Sequence, residues 1–181
     1  MLFSEIKNYF KDAKIFGNLP NKKITYITND SRNTDKNSLY IIDKKYKFHK
    51  LYLNEALENK VSTIITNKYF KDININQIVV RDIEIKIINL IRKKLPYDPK
   101  KTVAITGTNG KTSTTWYLAQ ICKLCNYSAK LVGTLGYYEN LKKIKDTNLT
   151  TPNNLDLLQF SKSIVRKSNF FICEASSHGL A

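Results

Sequence analysis

Between residues 102 and 125 the chain reads Thr-Val-Ala-Ile-Thr, then Gly-Thr-Asn-Gly-Lys-Thr-Ser, then Thr-Thr-Trp-Tyr-Leu-Ala-Gln-Ile-Cys-Lys-Leu-Cys. The first run, rich in β-branched residues, suits a buried strand, and the last reads as a helix. A glycine loop between strand and helix is the setting a phosphate-binding loop requires. Glycines let the backbone approach an anion without a Cβ clash, and the loop amides and helix N-terminus turn their positive ends toward it. The candidates are Gly107, Thr108, Asn109, Gly110, Lys111, Thr112 and Ser113, with Lys111 adding a full charge and Thr112 placed to coordinate magnesium. The spacing is G-x-x-G-K-T, shorter than G-x-x-x-x-G-K-[ST], because Ile105 stands five residues before Gly110. The plainer alternative is a glycine turn with an incidental lysine, and the strand and helix on either side weigh against it.

The rest of the chain is read around this segment. Leu2, Ile6, Phe10 and Ala13 fall at helical spacing, which predicts an amphipathic helix over 1–13. Strands are expected at 24–28, 38–42, 62–66 and 77–80, with a helix over 50–59 among them. A helix over 82–95 has Asp82 as its N-cap and basic residues in its last turn. Two prolines in Pro-Tyr-Asp-Pro then disfavour helix, placing a linker at 96–101. Beyond the glycine loop, a strand at 130–132, a loop ending in Leu-Thr-Thr-Pro, a helix over 153–167 and a strand at 170–175 imply a parallel sheet flanked by helices.

Composition narrows the function classes. The N-terminus mixes acids and bases, and no apolar run approaches about 18 residues, so neither a signal peptide nor a membrane span is expected and the chain reads as cytoplasmic. The net charge of +15 invites a nucleic-acid reading, but lysines scattered among Ile, Asn and Tyr form no arginine-rich stripe, and no nucleic-acid partner is expected. Cys122, Cys125 and Cys173 form one C-x-x-C pair without a second, so they read as buried or incidental thiols. Glu174, at the carboxyl end of an apolar strand, stands where open α/β sheets bind ligands.

Thr-Gly-Thr-Asn-Gly-Lys-Thr-Ser after a strand resembles the ATP-binding loop of the Mur ligases and of their folylpolyglutamate synthetase relatives. Three further motifs narrow the resemblance: Asp30-Ser31-Arg32, Leu149-Thr150-Thr151-Pro152, and Glu-Ala-Ser-Ser-His-Gly-Leu at 174–180. Their order and spacing resemble the branch that adds the third residue of the peptidoglycan stem (MurE type). The resemblance implies an α/β fold: a small mixed α/β N-terminal domain for the UDP-sugar at 1–95, then at 102–181 the first part of a P-loop-type parallel-sheet ATPase domain. The C-terminal amino-acid-binding domain is read as absent, and the chain as a fragment without turnover of its own.

The implied reaction phosphorylates a carboxylate with ATP and lets an amine displace the phosphate, in peptidoglycan synthesis and hence cell-wall biogenesis, cell shape and division. Its substrates would be UDP-N-acetylmuramoyl-L-Ala-D-Glu and a diamino acid, meso-diaminopimelate before L-lysine, with ATP and Mg2+ as cofactors and a monomer as the working form. Charge crowded on phosphates and carboxylate makes positioning and electrostatic stabilisation the expected catalytic means. By the same resemblance Lys111 grips phosphate, Thr112 and Glu174 hold magnesium, and His178 helps hold a second metal ion; Lys111, Glu174 and His178 form the catalytic set. Ser31, Thr150, Thr151 and Ser176 would face the UDP-sugar-peptide, although Thr-Pro-Asn-Asn is also a good helix start. Where family members carry D-G-H-D-F, this chain has Tyr-Lys-Phe-His-Lys at 46–50, with His49 the matching position. The rival readings are the D-Ala-D-Ala-adding Mur ligase, folylpolyglutamate synthetase, and a basic nucleotide- or nucleic-acid-binding module.

Overall fold

The computed structural model describes residues 1–43, 50–95, 98–147, 149–162 and 168–176. Contacts divide the chain into two compact units, Met1–Lys94 and Leu95–Ala181.

The first unit opens with a 3-10 turn, Phe3–Glu5, and a single turn of α-helix, α1 (Ile6–Tyr9). This is shorter than the helix expected over 1–13, because the chain leaves helical geometry at Phe10 (φ −120°, ψ 78°) and continues into an unforeseen strand, β1 (Lys14–Phe16). There follow β2 (Tyr26–Thr28), β3 (Ser38–Ile42), α2 (Lys50–Glu58), β4 (Thr63–Thr66), β5 (Asn76–Val79) and α3 (Ile83–Lys94). The sheet order is β1-β5-β4-β3-β2, parallel throughout except for β1, which pairs antiparallel with β5. One face carries Tyr40, Ile42 and Ile64 against Leu53 and Ala56 of α2. Strand alternation sends Leu39, Ile41 and Ile65 to the other face, and α3 buries Ile83, Ile87, Leu90 and Ile91. Asp82 does precede α3 and its carbonyl accepts from Lys86 N–H at 3.1 Å, but it reaches that place with a left-handed φ of 51°.

The second unit contains β6 (Lys101–Ile105), α4 (Lys111–Leu124), β7 (Ala129–Gly133), β8 (Gly136–Glu139), β9 (Lys142–Lys145), α5 (Asn154–Ser161) and β10 (Phe170–Glu174). Its sheet order is β6-β10-β7-β8-β9. The first three strands are parallel, as the alternation of strand and helix implies, whereas β8 and β9 add an antiparallel hairpin where only a loop was expected. Period-two alternation builds two cores on this sheet. Leu131 and Ile172 face Ala119 and Cys122 of α4, while Val132 and Phe171 face Leu157 and Phe160 of α5. The helix expected over 153–167 ends at Ser161 with Lys162 as its C-cap; residues 163–167 lie outside the described residues. Asn153 caps its start, its side chain accepting from Asp156 N–H at 2.9 Å. All three cysteines are free thiols, with Cys122 in the α4 core.

Candidate nucleotide site

In the second unit, three parallel strands bring their carboxyl ends to one edge of the sheet. Glu174 closes β10 level with Ile105, the last residue of β6, while Cys173 is level with Val132 of β7. Backbone groups freed at such an edge meet the N-terminus of the following helix, which is why ligands collect there. Gly107 and Gly110 of the loop have φ of 147° and 78°, and Gly110 is the N-cap of α4, with its carbonyl accepting from Thr114 N–H at 2.9 Å. No side chain is favoured in that left-handed N-cap geometry, so a glycine at 110 lets helix and loop meet without strain. Lys111 opens the helix and folds its ammonium back over the loop, donating to Gly107 O at 2.6 Å and Thr108 O at 3.4 Å.

Glu174 is 1% exposed. An ionised carboxylate at that depth needs several donors, and it has them. Thr112 donates its hydroxyl to Oε2 at 3.0 Å, Thr134 N–H donates to Oε1 at 2.9 Å, and the Thr134 hydroxyl lies 3.1 Å from Oε2. The carboxylate can lie there because position 133 is glycine: a Cβ on Gly133 would stand 2.1 Å from Glu174 Oε1. A cavity of about 220 Å³ opens over these groups, lined by residues 108–113 with Thr134, Thr150 and Glu174. An exposed ammonium, a helix N-terminus and a carboxylate paired with a hydroxyl thus share one small polar cavity. That combination suits a polyphosphate with a hard divalent cation.

Of the residues singled out from sequence, Thr108 to Ser113, Thr150 and Glu174 line this cavity, and Gly107 lies beneath Lys111. Thr151 and Ser176 form a pair beside it: the Thr151 hydroxyl contacts Glu174 O at 3.0 Å and Ser176 Oγ at 3.1 Å, and accepts from Ser176 N–H at 2.8 Å. Their hydroxyls tie the segment before α5 to the end of β10. Ser31, in the first unit, opens a 3-10 turn (Ser31–Asn33) capped by Asp30, is 5% exposed, and hydrogen-bonds Glu55 through its hydroxyl. Its carbonyl accepts from the Thr34 hydroxyl at 2.6 Å and from Asn59 Nδ2 at 3.1 Å. His178 and His49 lie outside the described residues. Among the described residues no cluster of three His, Cys, Asp or Glu side chains is arranged to hold a metal. Sequence reasoning missed Gly133, Thr134 and Glu55. A Gly-Thr-Leu-Gly turn at the carboxyl end of a parallel strand was the available signal for the first two.

Residues 105–181 match the family model described as "Mur ligase middle domain". The chain is 32% identical over 168 residues to the UDP-N-acetylmuramoyl-L-alanyl-D-glutamate--2,6-diaminopimelate ligase of Clostridium botulinum, an overlap of 88% of this chain and 34% of the relative. It is also 32% identical over 161 residues to the UDP-N-acetylmuramoyl-L-alanyl-D-glutamate--L-lysine ligase of Staphylococcus epidermidis, covering 86% and 32% respectively. A solved structure of a UDP-N-acetylmuramoyl-L-alanyl-D-glutamate--2,6-diaminopimelate ligase shares the fold, with TM-score 0.62 and 22% identity over 99% of this chain and 37% of that one. The chain spans about a third of the length of the curated relatives it matches. Among the described residues, no helix is long and apolar enough to cross a membrane.

Proposed function

Because the chain belongs to the Mur ligase family, we propose that it serves the ATP-dependent joining of the third amino acid to UDP-N-acetylmuramoyl-L-Ala-D-Glu, through an acyl phosphate. The observation that carries this reading is the meeting of Thr112 and Glu174, 3.0 Å apart, on the wall of the cavity that Lys111 and the α4 N-terminus also line. Sixty-two residues of sequence separate the two, so neither motif alone builds the site.

In this proposal the amides at the start of α4 receive the β and γ phosphates of ATP, and the Lys111 ammonium exchanges the loop carbonyls it now touches for phosphate oxygens. That exchange costs little, since the carbonyls are at the surface and return to water. A magnesium ion fits the donor set, because a carboxylate and a hydroxyl are hard oxygen ligands that suit it. Thr112 and Glu174 would hold it, and its charge would offset that of the phosphate oxygens. Thr150, on the cavity wall, and Ser176, beside it, would face the UDP-sugar-peptide, with Thr151 bracing both. Ser31 would contact the same substrate from the first unit, its hydroxyl oriented by Glu55. His178 keeps its proposed role of helping to hold a second metal ion. Supporting the acceptor as meso-diaminopimelate is the relative named for it; the relative named for L-lysine, at equal identity, supports the second reading.

Calorimetric titration tests the proposal. The folded chain is expected to bind MgADP saturably, and to bind UDP-N-acetylmuramoyl-L-Ala-D-Glu with an affinity that falls on Ser31→Ala. A chain folded by circular dichroism that binds neither would refute it. Comparing ADP release with meso-diaminopimelate and with L-lysine in the protein as encoded decides the acceptor.

A further inference from the structure

Thr134, not singled out from the sequence, supplies two of the donors on Glu174. We propose that Thr134 is a positioning residue of the nucleotide site, whose backbone N–H and hydroxyl hold the Glu174 carboxylate with Oε2 turned toward Thr112. The proposal rests on the reading of this cavity as a magnesium-nucleotide site.

A carboxylate on a two-carbon stem rotates about its last bond at little cost, and its two oxygens are chemically equal. What makes them unequal here is the β7–β8 turn. The Thr134 N–H is fixed by the pairing of Gly133 with Gly136 across the hairpin, and it donates to Oε1 at 2.9 Å. Oε2 is then left facing the two hydroxyls, Thr112 at 3.0 Å and Thr134 at 3.1 Å. The Thr134 hydroxyl also lies 3.2 Å from Thr150 Oγ1. A hydroxyl has one proton to give, and a carboxylate is the stronger acceptor. Thr134 is the donor in both contacts, and its proton therefore goes mainly to Glu174, with Thr150 the weaker acceptor. Gly133 completes the seat: a Cβ there would approach Glu174 Cδ at 2.5 Å and Cγ at 2.6 Å, displacing the side chain from this path.

Thr134 itself is exposed, in a two-residue turn that needs no left-handed φ from it. Any role in folding would thus be met by any residue of similar shape, which makes the position testable without disturbing the sheet. Thr134→Val keeps the backbone N–H and the β-branched shape and removes only the hydroxyl; Thr134→Ser restores it. The probe is ADP, titrated into the chain at a series of magnesium concentrations and once without the metal. Partners that orient metal ligands typically change metal affinity by about 10- to 100-fold when removed. The valine variant is expected to need about tenfold more magnesium for half-maximal ADP binding, with metal-free ADP binding unchanged and the serine variant within about threefold of the parent. An unchanged magnesium requirement in the valine variant overturns the positioning role while leaving the nucleotide site standing, as does a serine variant as impaired as the valine. Failure of the parent chain to bind ADP at any magnesium concentration overturns the nucleotide reading, and the role of Thr134 with it.

Discussion

Each unit has a polar motif immediately after a parallel strand, and the two motifs treat their polar groups in opposite ways. After β2, Asp30-Ser31-Arg32 is consumed locally. Asp30 caps the turn through Arg32 N–H at 3.0 Å and pairs with the Arg32 guanidinium at 2.7 Å, while Ser31 is buried against Glu55. After β6, the glycine loop leaves residues 106–110 exposed and, among the described residues, commits Lys111 to carbonyls of its own loop. A motif whose donors and acceptors are already matched holds a backbone shape, and a substrate reaches it through what it positions. A motif whose amides and charge face an open cavity is set to take a ligand directly. On this comparison, damage to Asp30 is felt in stability and, through the Ser31 it positions, in UDP-sugar binding, whereas damage to the second motif is felt in nucleotide binding.

The largest expected effect comes from Lys111→Ala. Losing a hydrogen bond to a charged group costs about 1.5–3 kcal/mol, so MgADP affinity is expected to fall by about 10- to 150-fold. The melting temperature should stay within about 2 °C, because a surface substitution of this kind changes stability by less than about 0.5 kcal/mol. Calorimetry and a thermal melt on the same preparation read both quantities. Comparable losses in both would show that Lys111 is a brace for its loop and would break the distinction.

The reciprocal experiment is Asp30→Ala. It removes an N-cap acceptor, worth about 1 kcal/mol, and an ion pair whose Arg32 partner is 66% exposed in its side chain and so adds little. Urea denaturation is expected to show a loss of about 1 kcal/mol, with MgADP binding unchanged. Weakened nucleotide binding in that variant would break the distinction from the other side.

The contrast also explains what could be read in the sequence. Gly107, Gly110, Lys111 and Thr112 were legible because the backbone geometry they need is local: two positive φ values and a helix start within six residues. Ser31 was legible as a position, but its partner Glu55 lies 24 residues away on α2, a pairing that no local spacing encodes. The β8–β9 hairpin was missed for a different reason. Its two-residue turn, Asn140-Leu141, has φ of 50° and 66°, a conformation normally announced by Asn-Gly. A leucine held there by packing in the α4 core hides the turn. Thr134 was hidden with it, because the strand on its far side was not foreseen. The helix expected over 1–13 failed through length, since four apolar positions at helical spacing are equally compatible with one turn of helix followed by a strand.

Burial of charge by itself does not mark the site, and Lys130 shows why. It is 1% exposed, as is Glu174, and lies on β7 of the same sheet, but on the face toward α5, where its ammonium donates to Phe160 O at 2.9 Å near the helix C-terminus. Desolvation lowers its pKa from the usual 10.5, with Glu139 across the strand pair opposing the shift. The folded state therefore binds fewer protons than the unfolded state between the lowered pKa and 10.5, so this group makes stability rise with pH across that window. Lys130→Met removes the buried charge and the donor to Phe160 together. The two changes offset, and the net effect at neutral pH is expected to stay within about 1 kcal/mol. Because the variant lacks the titrating group, the stability difference should move in the parent's favour as pH rises toward 10.5, which urea midpoints across the alkaline range would reveal. MgADP binding should not change, for this residue is not among those lining the cavity over Glu174. If it fell as far as in Lys111→Ala, the open cavity would lose its standing as the feature that separates a ligand site from a satisfied core charge.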